Sequence, residues 1–422
     1  MISRKALEKC VDARRMEHLI DLFATIGADE RGGVTRLAFS DEDRRARDTF
    51  IDILQTDFDL SVRSDTIGNL FARRAGRYPD WPVIMTGSHL DSVRNGGKYD
   101  GPAGVFSALE AFRALDLLGI ETRHPFELCV FCSEEPNRFG ISTFGSRGMT
   151  GSLTPKELEL LRDDSGNSFR SAMKNIGLDL DRMAEAVCRP GSIKYFLELH
   201  IEQMPYLELE KKDIGVVRGV TGIYRERIIL TGLAGHSGTT PMAVRADALC
   251  TAGEIILETE AAARHENGKA VATVGHMRLL PNSINTVPEE VELDLEVRSF
   301  SPERIERIMD RVGKTMAAVQ KRRNVDIVRK VSYDSPPVQF SADIRAAITD
   351  AAAGLGLESM ELVSMAGHDA AHLSRLTSAG MLFIPCRKGI SHCPEEYVSR
   401  AHLVKGAQCL LKTLLLLDGS SV

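Results

Sequence analysis

Two hydrophobic periodicities alternate along the chain. Residues 12–27 carry apolar side chains at Met16, Leu19, Ile20, Leu22, Phe23 and Ile26, the spacing of an amphipathic helix that stops at Gly27. A second helix is expected from about Asp41, where FSDEDRRARDTFIDILQ offers a Ser or Asp cap and acidic residues for the first turn. SVRSDTIGNLFARR predicts a hairpin turned at Gly68. The apolar run Val83, Ile84, Met85 predicts a buried strand that breaks at Gly87, followed by a helix over 103–118 and a strand over 126–132. Strand, helix, strand in that order implies a parallel pair joined by a right-handed crossover. Residues 151–189 are charged and helical only in patches, an insertion covering the sheet, and SIKYFLELHIEQ is another apolar strand.

Between about 215 and 330 the pattern changes. IYRERIILTGLAG, AVATVGHMRLL and EEVELDLEVRSF alternate as half-exposed strands, ADALCTAGEIILETEAAARHE and RIERIMDRVGKTMAAVQKR have helical spacing, and VDIVRKVSYD closes the series. The order β-α-β-β-α-β is that of a ferredoxin-like split unit. The expected architecture is therefore α/β, a mixed, mainly parallel sheet flanked by helices over 1–214 and 331–422, with an α+β domain inserted at 215–330. A length of 422 residues agrees with two domains.

Composition narrows the function by exclusion. Lys and Arg total 53 against 59 Asp and Glu, a formal net charge of −6 without any basic block, so nucleic acid is not the expected partner. No run approaches the roughly 18 to 20 apolar residues of a membrane span, and MISRKALEKCVDARRMEH has no signal-peptide core, which points to the cytoplasm. Eight scattered cysteines do not resemble a disulfide framework. Cys129 and Cys132 share an apolar strand on which residues three apart face opposite ways, so they are expected to be core thiols.

The polar residues at the strand ends carry the chemistry. His89 and Asp91 follow the first strand, Asp100 lies on the Gly-rich loop after it, Ser133, Glu134 and Glu135 close the strand from Phe126, His200 ends SIKYFLELHIEQ, and His392 follows MLFIPC. The carboxyl ends of parallel strands are where α/β proteins place their sites. A His packed at a strand end and two Asp in turns would account for the first stretch alone. Imidazoles and carboxylates recurring at the same address instead suit zinc or manganese, with one Asp able to bridge two ions.

GSHLDSVRNGGKYDGPAG, SEEPNRFG, ELHIEQ, GHSGTTPM, NSINTVP with LEVRS, AGHDA and GISHCPEEY, in this order, resemble the successive motifs of the hydantoinase/carbamoylase-type amidases of the metallopeptidase M20 clan. That resemblance implies a zinc-aminopeptidase-like catalytic domain, an inserted domain acting as lid and dimerisation element, and two divalent metal ions per subunit (Zn, or Mn, Co or Ni). It assigns His89, Asp100 and His200 to one ion and Asp100, Glu135 and His392 to the other. Glu134 becomes the general base, and Asp91 the carboxylate that orients the His89 imidazole.

It also gives Arg298 the grip on a substrate carboxylate, Gln203 and Asn285 amide contacts, and His236 the carbonyl or oxyanion, reached across a homodimer interface. Arg225 is a further anion-binding candidate, and Gly367 belongs to the AGHDA loop, which with His368 and Asp369 would line the site. His18, His124, His265, His276, His372 and His402 match no motif. The implied substrate is a small ureido acid such as an N-carbamoyl-L-amino acid, allantoate or N-carbamoyl-β-alanine, hydrolysed to amino acid, carbon dioxide and ammonia. Rival readings are an N-acyl amino acid deacylase or peptidase of the same clan and a binding protein on this scaffold. Met204 replaces the familiar glycine after ELHIEQ, GVTGIYRERI replaces a Gln-Arg-Arg pattern, and Cys393 follows His392, departures that bear on the side-chain pocket.

Overall fold

A computed structural model describes residues 10–58 and 60–420. The expected lack of an apolar leader over residues 1–9 lies outside the described residues. The chain divides into one unit of Met1–Gly219 with Phe340–Val422 and a second of Val220–Gln339.

The first unit is built on β1 (Ser61–Ser64), β2 (Leu70–Arg74), β3 (Val83–His89), β4 (Phe126–Phe131), β5 (Ile193–Ile201), β6 (Ile214–Val220) and the late strand Ser378–Ile384. Their order across the sheet is β1-β2-β4-β3-β5, then Ser378–Ile384, then β6. β3 runs parallel to β4 and β5, and β5 parallel to the late strand, while β1, β2 and β6 pair antiparallel with their neighbours. The sheet is thus mixed and mainly parallel at its centre. The helices Pro102–Leu117 and Arg400–Asp418 bury Phe106, Leu109, Phe112, Leu410 and Leu414 in one core with Leu128, Leu197 and Leu382 of the strands. The first two helices, Ala13–Thr25 and Asp41–Asp57, are capped by the side chains of Asp12 and Ser40. Short helical pieces between residues 151 and 189 gather Leu158, Phe169, Met173 and Leu180 around Phe39 and Phe144.

β3 does not break at Gly87. Pairing continues with Ser88 opposite Val130 and His89 opposite Phe131, so His89 is the last residue of the strand. A Cβ at Gly87 would fall 1.8 Å from the Cys129 carbonyl oxygen, which makes the glycine a close approach of two strands and not a terminator. Cys129 and Cys132 are buried, and all eight cysteines are free of disulfides.

The second unit is a four-stranded antiparallel sheet ordered Asp326–Ser335, β7 (Gly222–Thr231), Glu290–Ser299, Ala270–Leu280, with the helices Ala248–Arg264 and Pro302–Arg323. Alternate residues Ile228, Leu230, Val291, Leu293, Leu295 and Val297 share a core with Ile255, Ile308, Val312 and Met316, the helical faces packed on the sheet. The unit begins at Val220 and not at 215, because β6 pairs with the late strand of the first unit. It ends at Gln339 and not at 330, because Asp326–Ser335 pairs with β7 almost throughout. No helix among the described residues is long and apolar enough to cross a membrane.

One buried cation braces the strand end that carries His89. Arg36, 2% exposed, donates from Nε to the Leu90 carbonyl at 2.5 Å and from Nη1 to those of Phe23 and Ile26 at 2.6 and 2.8 Å. Burial lowers its pKa to about 10, with Asp43 and Asp91 opposing. Replacing it removes three charge-assisted hydrogen bonds, although the Phe23 carbonyl still accepts the Ile26 N–H; each lost bond costs on the order of 1–3 kcal/mol. Arg36→Met is therefore expected to lower unfolding free energy by about 3 kcal/mol in urea denaturation. A change below about 1 kcal/mol would show that the brace is dispensable.

Candidate metal and active site

The site forms where β3, β4 and β5 end. His89 closes β3 and sits 1% exposed, and His200, 2% exposed, is the penultimate residue of β5. Each imidazole turns Nδ1 to a backbone carbonyl, His89 to that of Asp91 at 3.0 Å and His200 to that of Ile201 at 2.9 Å. That contact puts a proton on Nδ1 and leaves Nε2 free to act as a ligand. Both Nε2 atoms face Asp100 Oδ1, at 3.5 Å from His89 and 3.1 Å from His200. On the other side of the same carboxylate, His392 Nε2 lies 3.3 Å from Asp100 Oδ2 and 3.2 Å from Glu135 Oε1.

Asp91 acts differently from the expectation. Its carboxylate stands 3.7 Å from His89 Nδ1, farther than its own backbone carbonyl. The carboxylate instead accepts the backbone N–H groups of Glu134 at 3.2 Å and Glu135 at 3.0 Å. It therefore fixes the turn that separates two adjacent carboxylates. Glu134 Oε2 reaches within 3.8 Å of His89 Nε2, while Glu135 points to His392. Ser133 at φ 56°, Gln203 at φ 56° and His392 at φ 60° adopt left-handed backbone, each at a cost of about 1–2 kcal/mol that the surrounding contacts must hold.

The electrostatics follow from burying so many carboxylates. Burial would raise Asp100, but His200, His392 and His89 hold it well below the usual range. Burial, then Glu135, Asp369 and Asp91, push Glu134 well above it, with His89 opposing. Burial raises Asp91 to about 7. Asp100 and Glu135 raise His392 to about 11, and His89 and His200 are held above the ordinary imidazole value against the effect of burial.

Of the four groups of possible ligands among the described residues, two meet at Asp100, His89 with Asp100 and His200, and Asp100 with Glu135 and His392, the ligand atoms of each lying within 4.8 Å of one another. Asp100 belongs to both. His89 Nε2 is buried without a hydrogen-bond partner, an orphaned ligand atom aimed at the carboxylates. Three imidazoles and two carboxylates suit a borderline divalent cation, so these residues fit the metal that the sequence motifs imply.

Gln203 donates to Asp100 Oδ2 at 2.6 Å, and its Oε1 is buried without a partner. Gly367 precedes His368, whose ring packs edge-on against His200 with centroids 4.6 Å apart. In the second unit, Arg225 and Arg298 both donate to Glu296, at 2.6 Å each, and His236 is paired in register with Thr286, next to Asn285. His236 is exposed, and its Nδ1 accepts the N–H groups of Gly238 and Thr239 at 3.1 and 3.2 Å, which leaves the proton on Nε2.

Several contributors escaped the sequence reading. Glu198 is wholly buried on β5, accepting from Ser88 Oγ at 2.9 Å and the Ala370 N–H at 3.2 Å. Glu396 holds the backbone of Tyr99 and Asp100. An acidic residue inside the apolar run FLELHI was the available signal for Glu198. Glu396, in a polar loop, gave none.

Known proteins resemble this chain over nearly its whole length. The pattern of peptidase family M20/M25/M40 matches residues 85–416. The N-carbamoyl-L-amino acid amidohydrolase of Geobacillus stearothermophilus is 37% identical over 401 residues, covering 95% of this chain and 97% of that protein. The ureidoglycolate hydrolase of Arabidopsis thaliana is 35% identical, covering 96% and 86%. The crystal structure of a hydantoinase/carbamoylase family amidase from Burkholderia multivorans superposes with a TM-score of 0.88 at 33% identity, over 98% of this chain and 99% of that one. With the match running from within β3 almost to the end of the last helix, and enclosing every donor at the strand ends, the chain belongs to peptidase family M20/M25/M40.

Proposed function

We propose that the protein is a metal-dependent amidohydrolase that cleaves the carbamoyl C–N bond of N-carbamoyl-L-amino acids, with two divalent cations that His89, Asp100, His200, Glu135 and His392 would hold. The observation that carries this reading is the set of four donors, His89, His200, Glu135 and His392, around the Asp100 carboxylate, with Glu134 beside His89 and Asp91 holding the backbone of Glu134 and Glu135. Cations held there supply Lewis acidity, which lowers the pKa of a water and offsets negative charge on the carbamoyl oxygen. Glu134 takes a proton from the attacking water and returns it to the leaving nitrogen. The products are the free amino acid and a carbamate, which decomposes to carbon dioxide and ammonia.

In this reading Arg298 and Arg225 bind the substrate carboxylate, exchanging their present partner Glu296 for it, as planar guanidinium groups do well. Gln203 and Asn285 contact the ureido group, Gly367 lines it, and His236 offers its Nε2 proton to the oxyanion of the partner subunit in a homodimer formed through the inserted domain, which also serves as lid. Eight cysteines without a disulfide support a cytoplasmic setting. The resemblance of a ureidoglycolate hydrolase over 96% of the chain supports a second reading, another ureido acid as substrate.

Glu134→Gln is expected to lower kcat by about 100- to 10,000-fold while the protein still takes up metal, measured by ammonia release and metal analysis. A variant that keeps near-normal turnover would remove Glu134 from the mechanism. Chelation should abolish ammonia release and Zn2+ or Mn2+ should restore it. In a panel of N-carbamoyl-methionine, allantoate, ureidoglycolate, N-carbamoyl-β-alanine and N-acetyl-methionine, the first is expected to be hydrolysed fastest. Preference for N-acetyl-methionine would move the protein to the deacylases. Mixed Glu134→Gln and His236→Ala subunits, each inactive alone, should regain partial activity, and none would count against a shared site.

A further inference from the structure

Glu396 lies four residues beyond His392 and is 4% exposed. Its Oε1 accepts the backbone N–H of Tyr99 at 2.8 Å and of Asp100 at 3.0 Å, joining segments 297 and 296 residues apart in the chain. Its Oε2 accepts from Ser391 Oγ at 2.7 Å, and the same hydroxyl lies 2.8 Å from Asp100 Oδ2. The fit leaves no room for a side chain beneath it. A Cβ at Gly97 would stand 2.1 Å from the Glu396 carboxylate carbon and Oε1.

The donors differ in how they are held. His89 and His200 are buried on strands, and each is fixed by a carbonyl of its own strand end. His392 is 48% exposed and stands outside any strand or helix, on left-handed backbone. Its placement depends on what ties its loop down: the Ser391 hydroxyl lies against Asp100 Oδ2, the oxygen that His392 faces, and Glu396 holds the Asp100 backbone.

We propose that Glu396 is the positioning residue that locks the His392 loop onto Asp100, and so sets the cation affinity of the Asp100–Glu135–His392 position without setting that of the His89–Asp100–His200 position. The proposal rests on the two-cation reading given above. Partners of this kind alter metal affinity by about 10- to 100-fold when removed.

The test is titration of the metal-free, full-length protein with Zn2+ against a chromophoric chelator, with folding followed by circular dichroism. Wild type should bind at two classes of position. His392→Ala should eliminate one class and His200→Ala the other, which labels them. Glu396→Ala should weaken the class lost in His392→Ala by about 10- to 100-fold and leave the other unchanged. Glu396→Gln keeps an oxygen for the two backbone N–H groups and should recover most of that loss, whereas Glu396→Met, of similar volume but with no oxygen acceptor, should behave like Glu396→Ala, a difference that a merely space-filling role would not produce. Gly97→Ala displaces the carboxylate while retaining it and should reproduce the Glu396→Ala titration. Ser391→Ala, which cuts only the hydroxyl bridge, should weaken the same class and serves if the other variants do not fold. A wild type with a single class, or His392→Ala with both intact, would overturn the two-cation reading. Two classes in wild type with neither weakened in the folded variants, or with both weakened alike, would overturn the role of Glu396 alone.

Discussion

Asp91, Asp100, Glu134 and Glu135 are each less than a tenth exposed, and they close around three imidazoles. Two unit charges about 4 Å apart interact by about 4 kcal/mol at an effective dielectric constant near 20. A few uncompensated pairs of carboxylates would rival the whole stability of a domain, about 5–15 kcal/mol. Positive charge must therefore enter the cluster. In the protein alone the carboxylates answer it by raising the proton affinity of the imidazoles, so that burial fails to depress His89 and His200 and His392 rises to about 11, while burial raises that of Glu134 as well. Divalent cations would meet the same demand with more charge per site, and the imidazole nitrogens already face inward to receive them.

The fold answers this demand with backbone more than with side chains. Parallel strands deliver His89, Glu134 and His200 to one edge, because neighbouring strands of like direction end together. The strand-end carbonyls then select the tautomer of His89 and His200, and the amides of Glu134 and Glu135 occupy Asp91. Adjacent carboxylates acquire separate tasks through the left-handed turn at Ser133, which sends Glu134 toward His89 and Glu135 toward His392. Arg36 secures the segment that follows β3 from behind, through the Leu90 carbonyl.

Much of this was legible in the sequence because it rests on periodicity. The apolar runs at 83–85, 126–132 and 193–201 gave the strands, and the polar residues after them gave the donors, since a strand's end is where burial stops dictating side-chain type. Gly87 misled because a glycine that terminates a strand and one that admits a neighbouring carbonyl have the same letter; only the 1.8 Å approach to Cys129 separates them. The domain edges moved for a similar reason, as β6 and Asp326–Ser335 alternate in the same way whichever sheet they join. Asp91 was found, but its partners were not, because a carboxylate two residues from a His suggests a side-chain contact while the amides it accepts lie 43 and 44 residues away. Glu396 depends on contacts nearly 300 residues distant, beyond the reach of any local pattern.

Relatives named for different ureido substrates match nearly the whole chain, so a donor set of this kind does not by itself choose among them. Two departures from the familiar motifs, Met204 and Cys393, fall beside Gln203 and His392, and they are not independent. A Cβ at Gly389 would lie 2.5 Å from the Met204 carbonyl carbon, so the segment after ELHIEQ and the turn that leads into His392 press directly on each other. The contact is between backbones, so the path of the chain at 204–205 and that of the turn at 389 are set together. The loop that carries His392 is thus held at two points, by the backbone of 204–205 against Gly389 and by Glu396, which accepts the Asp100 N–H and the Ser391 hydroxyl.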